Sequence, residues 1–324
     1  MDKSNQNSTL RTPLNDILGS KGHIMILRQL SEAKNPMSHS ELLDRTNLSR
    51  QGVYDVVRRL VENGIVMYVG SGKQQQVALR KDFPLSNIIS KLFEAEKKRF
   101  NDLIKRIQEL IKNLEIQPKS AWIFGKVALG VDEYGDTVQI ALLDNIKNVD
   151  EITDELRNQL YYHGIEKKYD ITIDITGFTI ADLRSRSSLN PAEILMLWGY
   201  HPQHYLKSTQ KNGGDKKSHQ ELDQQSLENA KAWTELLKTY PEIIQRTVEY
   251  LEDRIPKIST GEKQELQEWK HILESMSLQR LKKFLESDSE RSTRLRQSLP
   301  FWPVLKDNER SKLEKLKSEQ QAHE

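Results

Sequence analysis

Apolar residues recur at three- and four-residue spacing from Leu14 onward, after a polar start. In GHIMILRQLSEA, Ile24, Leu27 and Leu30 share one face, the signature of an amphipathic helix. Ser38 and Glu41 have the spacing of a capping box in front of ELLDRT. TNLS then reads as a polar turn, with Ser49 capping a second amphipathic helix, RQGVYDVVRRLVEN. Val53, Val57 and Leu60 form its inner face, and Asn63-Gly64 stops it. IVMYV and QQVALR follow as two short strands joined by GSGK.

Residues 85–116 carry one long stripe, Leu92, Phe100, Leu103, Ile107, Leu110 and Leu114. A helix of that length extends ~45 Å at ~1.5 Å per residue. It either packs on its own domain or forms a dimer seam. Gln117-Pro118 breaks it. Strand, loop and strand are expected over 121–143, a helix over 149–162 and a third strand, DITIDITGF, over 170–178. LNPAEILMLWGYHPQHYL reads as a short helix and turn, and KSTQKNGGDKKSHQ as a linker. The remainder is helical, with Leu227, Trp233, Leu236 and Leu237 beginning one helix and Leu266, Trp269, Ile272 and Leu273 marking another. The expected class is α+β and helix-rich. It divides into a tail (1–12), a front domain (13–82), a connecting or dimerisation helix (83–117), a middle domain (118–206), a linker (207–220) and a C-terminal helical region (221–324).

Composition narrows the function classes. With 36% hydrophobic and 30% charged residues, the 324-residue chain has the balance of a globular protein with many solvated helix faces. No stretch holds the ~18 apolar residues of a membrane span, and the start has no apolar signal core, so a cytoplasmic, nucleoid-associated location is expected. The absence of cysteine excludes disulfides, thiol catalysis and Cys-ligated zinc. Net charge is +2, unevenly spread: residues 1–118 hold 19 Lys and Arg against 13 Asp and Glu, and the rest hold 30 against 34. A basic front half calls for an anionic partner there.

The order helix, helix, turn, helix, ribbon resembles the winged helix-turn-helix domains of bacterial transcription regulators of MarR or ArsR type, over residues 13–82. The resemblance implies double-stranded DNA as partner, with the second helix of the motif in the major groove. Arg50, Gln51, Tyr54 and Asp55 then face base edges, where Arg suits guanine and Gln suits adenine. Arg58 reaches phosphate, Ser40 and Ser49 lie at helix starts that hold phosphate, and Lys73 lies in the wing. The competing readings are solvated charges for Arg50 and Arg58 and local packing for Tyr54, and some winged helices bind protein instead. GSGK is not a phosphate loop, because Met67 and Gln74 stand where that motif needs Gly and Ser or Thr.

The run IFGKVALGVDEYGDTVQIALL, residues 123–143, resembles the start of a minimal nucleotidyltransferase domain. In that family a strand ends in Gly-Ser, an Asp-x-Asp pair follows on the next strand, and a third Asp lies on a later one. Mg²⁺ prefers such carboxylates, and alternation along a strand aims both members of Asp-x-Asp to one side. With LGSKGHIMILRQL, DFPL and the connecting helix, the resemblance to winged-helix–nucleotidyltransferase fusions spans residues 13–205. Gly125 keeps the Gly, but Lys126 replaces the Ser, Thr137 and Gln139 replace the Asp pair, and only Asp174 matches a carboxylate. Shifting the register by one would place Asp136 at a ligand position but turn Val138, Ile140 and Leu142 outward. Three states of Lys126 remain open: paired with Asp174 to close the site, holding a phosphate or nucleotide with Gly125, or merely exposed on a scaffold.

His201 and His204 lack a third metal ligand. Arg291, Arg294 and Arg296 precede Phe301-Trp302, which reads as a buried cap folding back or as a docking segment, and the charged terminal helix is expected to fray. The reading is a DNA-binding transcription regulator, a homodimer on a palindromic operator, whose middle domain is inactive and serves as scaffold or nucleotide sensor. No cofactor, catalytic residue, metal site or membrane contact is expected. One alternative is an active nucleotidyltransferase using Mg²⁺ and a nucleoside triphosphate to modify protein or RNA, with the winged helix choosing the substrate. Another is an antitoxin-like or protein-interaction module.

Overall fold

The structure, a computed structural model, describes residues 12–72, 75–185, 194–206, 220–258 and 260–321. The expected tail, except Thr12, and the expected linker, except Gln220, lie outside the described residues, as does Lys73. The chain is α+β and helix-rich, with one two-stranded and one four-stranded sheet among the described residues. It divides into two compact units, Met1–Asp102 and Leu103–Glu324.

The first unit holds α1 (Leu14–Ile17), α2 (Lys21–Glu32), α3 (His39–Thr46), α4 (Arg50–Glu62), β1 (Val66–Val69) and β2 (Gln76–Leu79). Ser38 and Glu41 form the full capping box at α3, and Ser49 caps α4 by accepting from the Gly52 N–H at 3.1 Å. Asn47, in the left-handed conformation, ends α3, so α3 and α4 are joined by a tight turn. Ile26, Leu27 and Leu30 of α2 pack against Leu42, Val53, Val57 and Leu60. β1 and β2 are antiparallel, and Met37 exchanges two backbone hydrogen bonds with Val77, adding a one-residue third rung.

Helix α5 (Ser86–Lys112) is shorter than the expected 85–116. Its apolar stripe is also divided. Ile89 and Phe93 enter the first core, while Leu103, Ile107, Leu110 and Ile111 enter the core of the second unit. Leu92 and Phe100 belong to neither and are exposed, contrary to a single continuous stripe.

After the end of α5, the second unit continues with β3 (Ser120–Phe124), α6 (Lys126–Leu129), β4 (Thr137–Leu143), α7 (Val149–Tyr162), α8 (Ile165–Tyr169), β5 (Thr172–Phe178) and α9 (Ile180–Ser185). Next comes β6 (Leu195–Gly199), within the run expected as a helix and turn, of which residues 189–193 lie outside the described residues. Leu197 packs on one side of the sheet and Met196 on the other, so the run is apolar on both faces. Periodicity cannot tell such a run from a buried helix. The helical turn α10 (Gln203–Leu206) follows. Strand order is β5-β4-β3-β6, with β4 and β5 parallel and the other pairs antiparallel.

The C-terminal helices are α11 (Gln220–Thr239), α12 (Glu242–Arg254), α13 (Thr260–Ser275), α14 (Leu278–Leu285), α15 (Glu290–Arg296) and α16 (Asp307–Gln321). Phe301 is fully buried beside Trp233 and Trp269, with ring centroids 5.6 and 5.9 Å away. Trp302, expected to be buried with it, is 48% exposed beneath Arg310. Instead of fraying throughout, α16 is anchored by the buried Leu313. This bundle joins the sheet at its β5 edge. Glu166 accepts from the Ile173 N–H at 2.7 Å, Arg291 donates to the Ile173 carbonyl at 2.9 Å, and Arg280 donates to the Ile171 carbonyl. Side chains thereby satisfy backbone groups that an edge strand otherwise leaves open to a further strand.

Candidate nucleic-acid interface and the Gly125 loop

Because Val53, Val57 and Leu60 turn α4 inward, Arg50, Gln51, Tyr54 and Arg58 are left exposed on its other side. Asp55 organises two of them: it accepts from Gln51 Nε2 at 3.1 Å and from Arg58 at 3.2 Å, and Glu62 lies 4.0 Å from Arg58. Such exposed pairs contribute ~0–1 kcal/mol, so base or phosphate can replace them at little cost. Arg50 has no ion-pair partner among the described residues and stands in the first turn after the Ser49 cap. Ser40 is exposed in the first turn of α3, whose cap is Ser38.

Two residues that the sequence reading passed over complete this surface. The His39 ring stacks on Tyr54 with centroids 4.3 Å apart at 14°, and Tyr68 of β1 lies 6.2 Å from it. Tyr54 is thus packed on one face, as the local-packing reading expects, and is 48% exposed. The signal was an aromatic residue at the start of α3, on α4 and in β1, but only the turn of the chain brings the three together.

Burial lowers the His39 pKa, and burial is also the largest cause of a lowered His23. Each folded-state value lies below the unfolded one, so the unfolded chain takes up protons first as pH falls. The stability each contributes is present above the ordinary histidine range and is lost on acidification towards the folded value. We expect urea unfolding of the winged-helix unit to shift to lower midpoint between pH 7.5 and 5.5. His39→Phe, which retains the stack, should reduce that shift, and an undiminished shift would show that His39 is not a source of it.

In the second unit, Phe124 pairs with Gln139, and the chain turns at Gly125 with φ 74°. A Cβ at Gly125 would overlap Gln139 Oε1, so the Gln139 carboxamide fills the space over this glycine. Thr137 is in register with Thr172 and Gln139 with Asp174. The structure therefore brings Thr137, Gln139 and Asp174 onto one face, opposite Val138 and Ile140. Asp174 is 6% exposed, and burial pushes its carboxyl above the usual range despite the pull of Arg291 and Arg157.

Lys126 is not placed against Asp174. It lies 3.3 Å from Asp136, because α6 begins at this residue and sends its exposed side chain towards the following loop. Asp136 also accepts from the Glu133 N–H and from Lys283, each at 2.9 Å. Burial opposes its ionisation, but these donors outweigh it and hold the carboxyl down to about 2. His201 Nδ1 accepts from the Gln203 N–H, and His204 stacks on Tyr200. Among the described residues no three His, Asp or Glu side chains are grouped to hold a metal ion, and no helix is long and apolar enough to cross a membrane.

No curated protein and no solved structure matches the chain. The family model for winged helix-turn-helix DNA-binding domains matches residues 23–67, from α2 to β1, and supports a role for the chain as a DNA-binding regulator.

Proposed function

We propose that the chain is a sequence-specific, cytoplasmic transcription regulator that binds its operator as a homodimer, with α4 in the major groove. The observation that carries this reading is the exposed face of α4 within the matched segment, where Arg50 has no ion-pair partner among the described residues and Asp55 presents Gln51 and Arg58. Arg50 and Gln51 are the base readers, and Ser40, Ser49, Arg58 and Lys73 the backbone contacts. The homodimer is supported by Ile88, Leu92 and Phe100 of α5, which are 63, 56 and 43% exposed.

The second unit, in this reading, is a nucleotidyltransferase-like fold that serves as scaffold. Neutral Thr137 and Gln139 and a buried Asp174 held towards its protonated form do not fit Mg²⁺. The Gln139 carboxamide covers Gly125, and Lys126 is engaged by Asp136, which disfavours the sensor reading as well.

The test selects bound fragments from genomic DNA and then measures the preferred site. Arg50→Ala should weaken that site by ~1–3 kcal/mol while leaving unrelated DNA little changed. Equal loss on both would make Arg50 a phosphate contact, and no selected fragment at all would end the regulator reading.

A further inference from the structure

A groove in the second unit lies between α7 and α13, with a cavity of about 420 Å³. Its existence follows from how the two helices are used. α7 turns Ile152 and Leu156 into the sheet core, and α13 turns Trp269, Ile272 and Leu273 into the C-terminal core. The sides left facing each other are polar, Arg157 and Asn158 against Gln264 and Gln267, and do not pack shut. Beneath them the floor is apolar, formed by Ile173 and Ile175 of β5. Its size and its combination of an apolar floor with a few polar groups are those of a small-molecule site.

The charges select the ligand. Glu166 and Glu268 also line the cavity, but Arg291 holds both, at 2.9 and 2.8 Å, and Arg294 holds Glu268 at 2.6 Å. Neither acid can take a cationic ligand without leaving a buried arginine short of its partner. Arg157 differs. It is 36% exposed, and among the described residues its one ion pair is with Asp154, itself 69% exposed, on the same helix. Arg157 also lines two adjoining recesses of about 340 Å³ each, so it stands where all three spaces meet. Lys263 adds a second positive charge at the rim. The Tyr161 ring, braced edge-on by His271 at 4.8 Å, supplies an aromatic wall.

We propose that this groove binds a small amphipathic anion, with a flat apolar body over Ile173 and Ile175 beside Tyr161 and one acidic group on Arg157. The site is independent of the DNA-binding reading and of the Gly125 loop.

The test is a fluorescence titration of the full chain with 1-anilinonaphthalene-8-sulfonate, an aromatic body bearing one sulfonate. Saturable binding to one site is expected, weakened about tenfold or more by Arg157→Ala and by Gln264→Phe, which fills the groove. Arg157→Lys, which keeps the charge, should stay within about threefold of the parent. Indole-3-acetate should displace the dye and tryptamine, the matching cation, should not. The proposal is overturned by absent or unsaturable binding, by a titration that neither Arg157→Ala nor Gln264→Phe alters, or by displacement with tryptamine as effective as with indole-3-acetate. Gln264→Phe keeps the test decisive if Arg157→Ala fails to fold. DNA binding measured on the same preparation separates the two ideas: loss of the dye site with DNA binding intact removes only the groove.

Discussion

Arg291→Ala is expected to destabilise the Leu103–Glu324 unit by ~3–5 kcal/mol at neutral pH, the range for removing one partner of a buried ion pair. Arg291 is 9% exposed and stands between Glu166 and Glu268, with a further hydrogen bond to the Ile173 carbonyl. Truncation leaves the buried Glu166 without its arginine, Glu268 with Arg294 alone, and an edge carbonyl with one donor fewer. The pH dependence distinguishes this from a simple loss of packing. In the parent, burial would raise the Glu268 carboxyl, but Arg291 and Arg294 outweigh burial and hold it below its ordinary value. A depressed folded value contributes stability above the unfolded pKa, and that stability is lost as pH falls through the folded value. Without Arg291 the depression of Glu268 shrinks to what Arg294 supplies, its folded value rises, and acid costs the variant less than the parent. The gap between parent and variant, read from urea unfolding, should therefore narrow from pH 7 to pH 4.5. Replacing the whole group, Arg291→Met with Glu166→Gln and Glu268→Gln, should cost much less than Arg291→Ala alone. A loss below ~1 kcal/mol for Arg291→Ala, or a gap constant with pH, would show that this buried cluster does not hold the bundle to the sheet.

The importance of Arg291 was not legible in the sequence. Three arginines before Phe301-Trp302 read only as part of a cap or a docking segment, and nothing local says that Arg291 meets Glu166, 125 positions earlier. Pairs of that separation leave no periodic trace. The front domain was far more readable, because its signals are local: Ser38 with Glu41, Ser49 before Arg50, and Val53, Val57 and Leu60 at helical spacing all hold in the structure. The strand at Leu195–Gly199 was missed for a different reason. Both of its faces are covered, so the alternation that marks β4 never develops. Around Gly125 the register of Thr137 and Gln139 was readable from the apolar alternation. The partner of Lys126 was not, since Asp136 lies in a loop without a repeating pattern.

That register supports a second large effect. Thr137→Asp with Gln139→Asp should make the second unit respond to divalent cations, which the parent is expected not to do. Thr137 and Gln139 share a strand face with Asp174, and Gln139 is its in-register neighbour on the parallel strand. Neighbouring strands lie ~4.8 Å apart, so three carboxylates would crowd within reach of one ion. Asp is also shorter than Gln, and the exchange withdraws the carboxamide that now covers Gly125. Without metal the double variant should be ~2–4 kcal/mol less stable than the parent at neutral pH, since like charges would sit beside an already buried carboxyl. If 10 mM Mg²⁺ is ~10–100 times the dissociation constant, binding returns ~1.4–2.7 kcal/mol. Thermal unfolding in MgCl₂ should then rise well above that in NaCl of matched ionic strength, which separates coordination from screening. Gln139→Asp alone provides one fewer ligand and should respond less. The same Mg²⁺ response in the parent would mean that its site still binds metal and would restore the enzyme reading. No response in the double variant would mean that the three positions do not converge as a nucleotidyltransferase site requires.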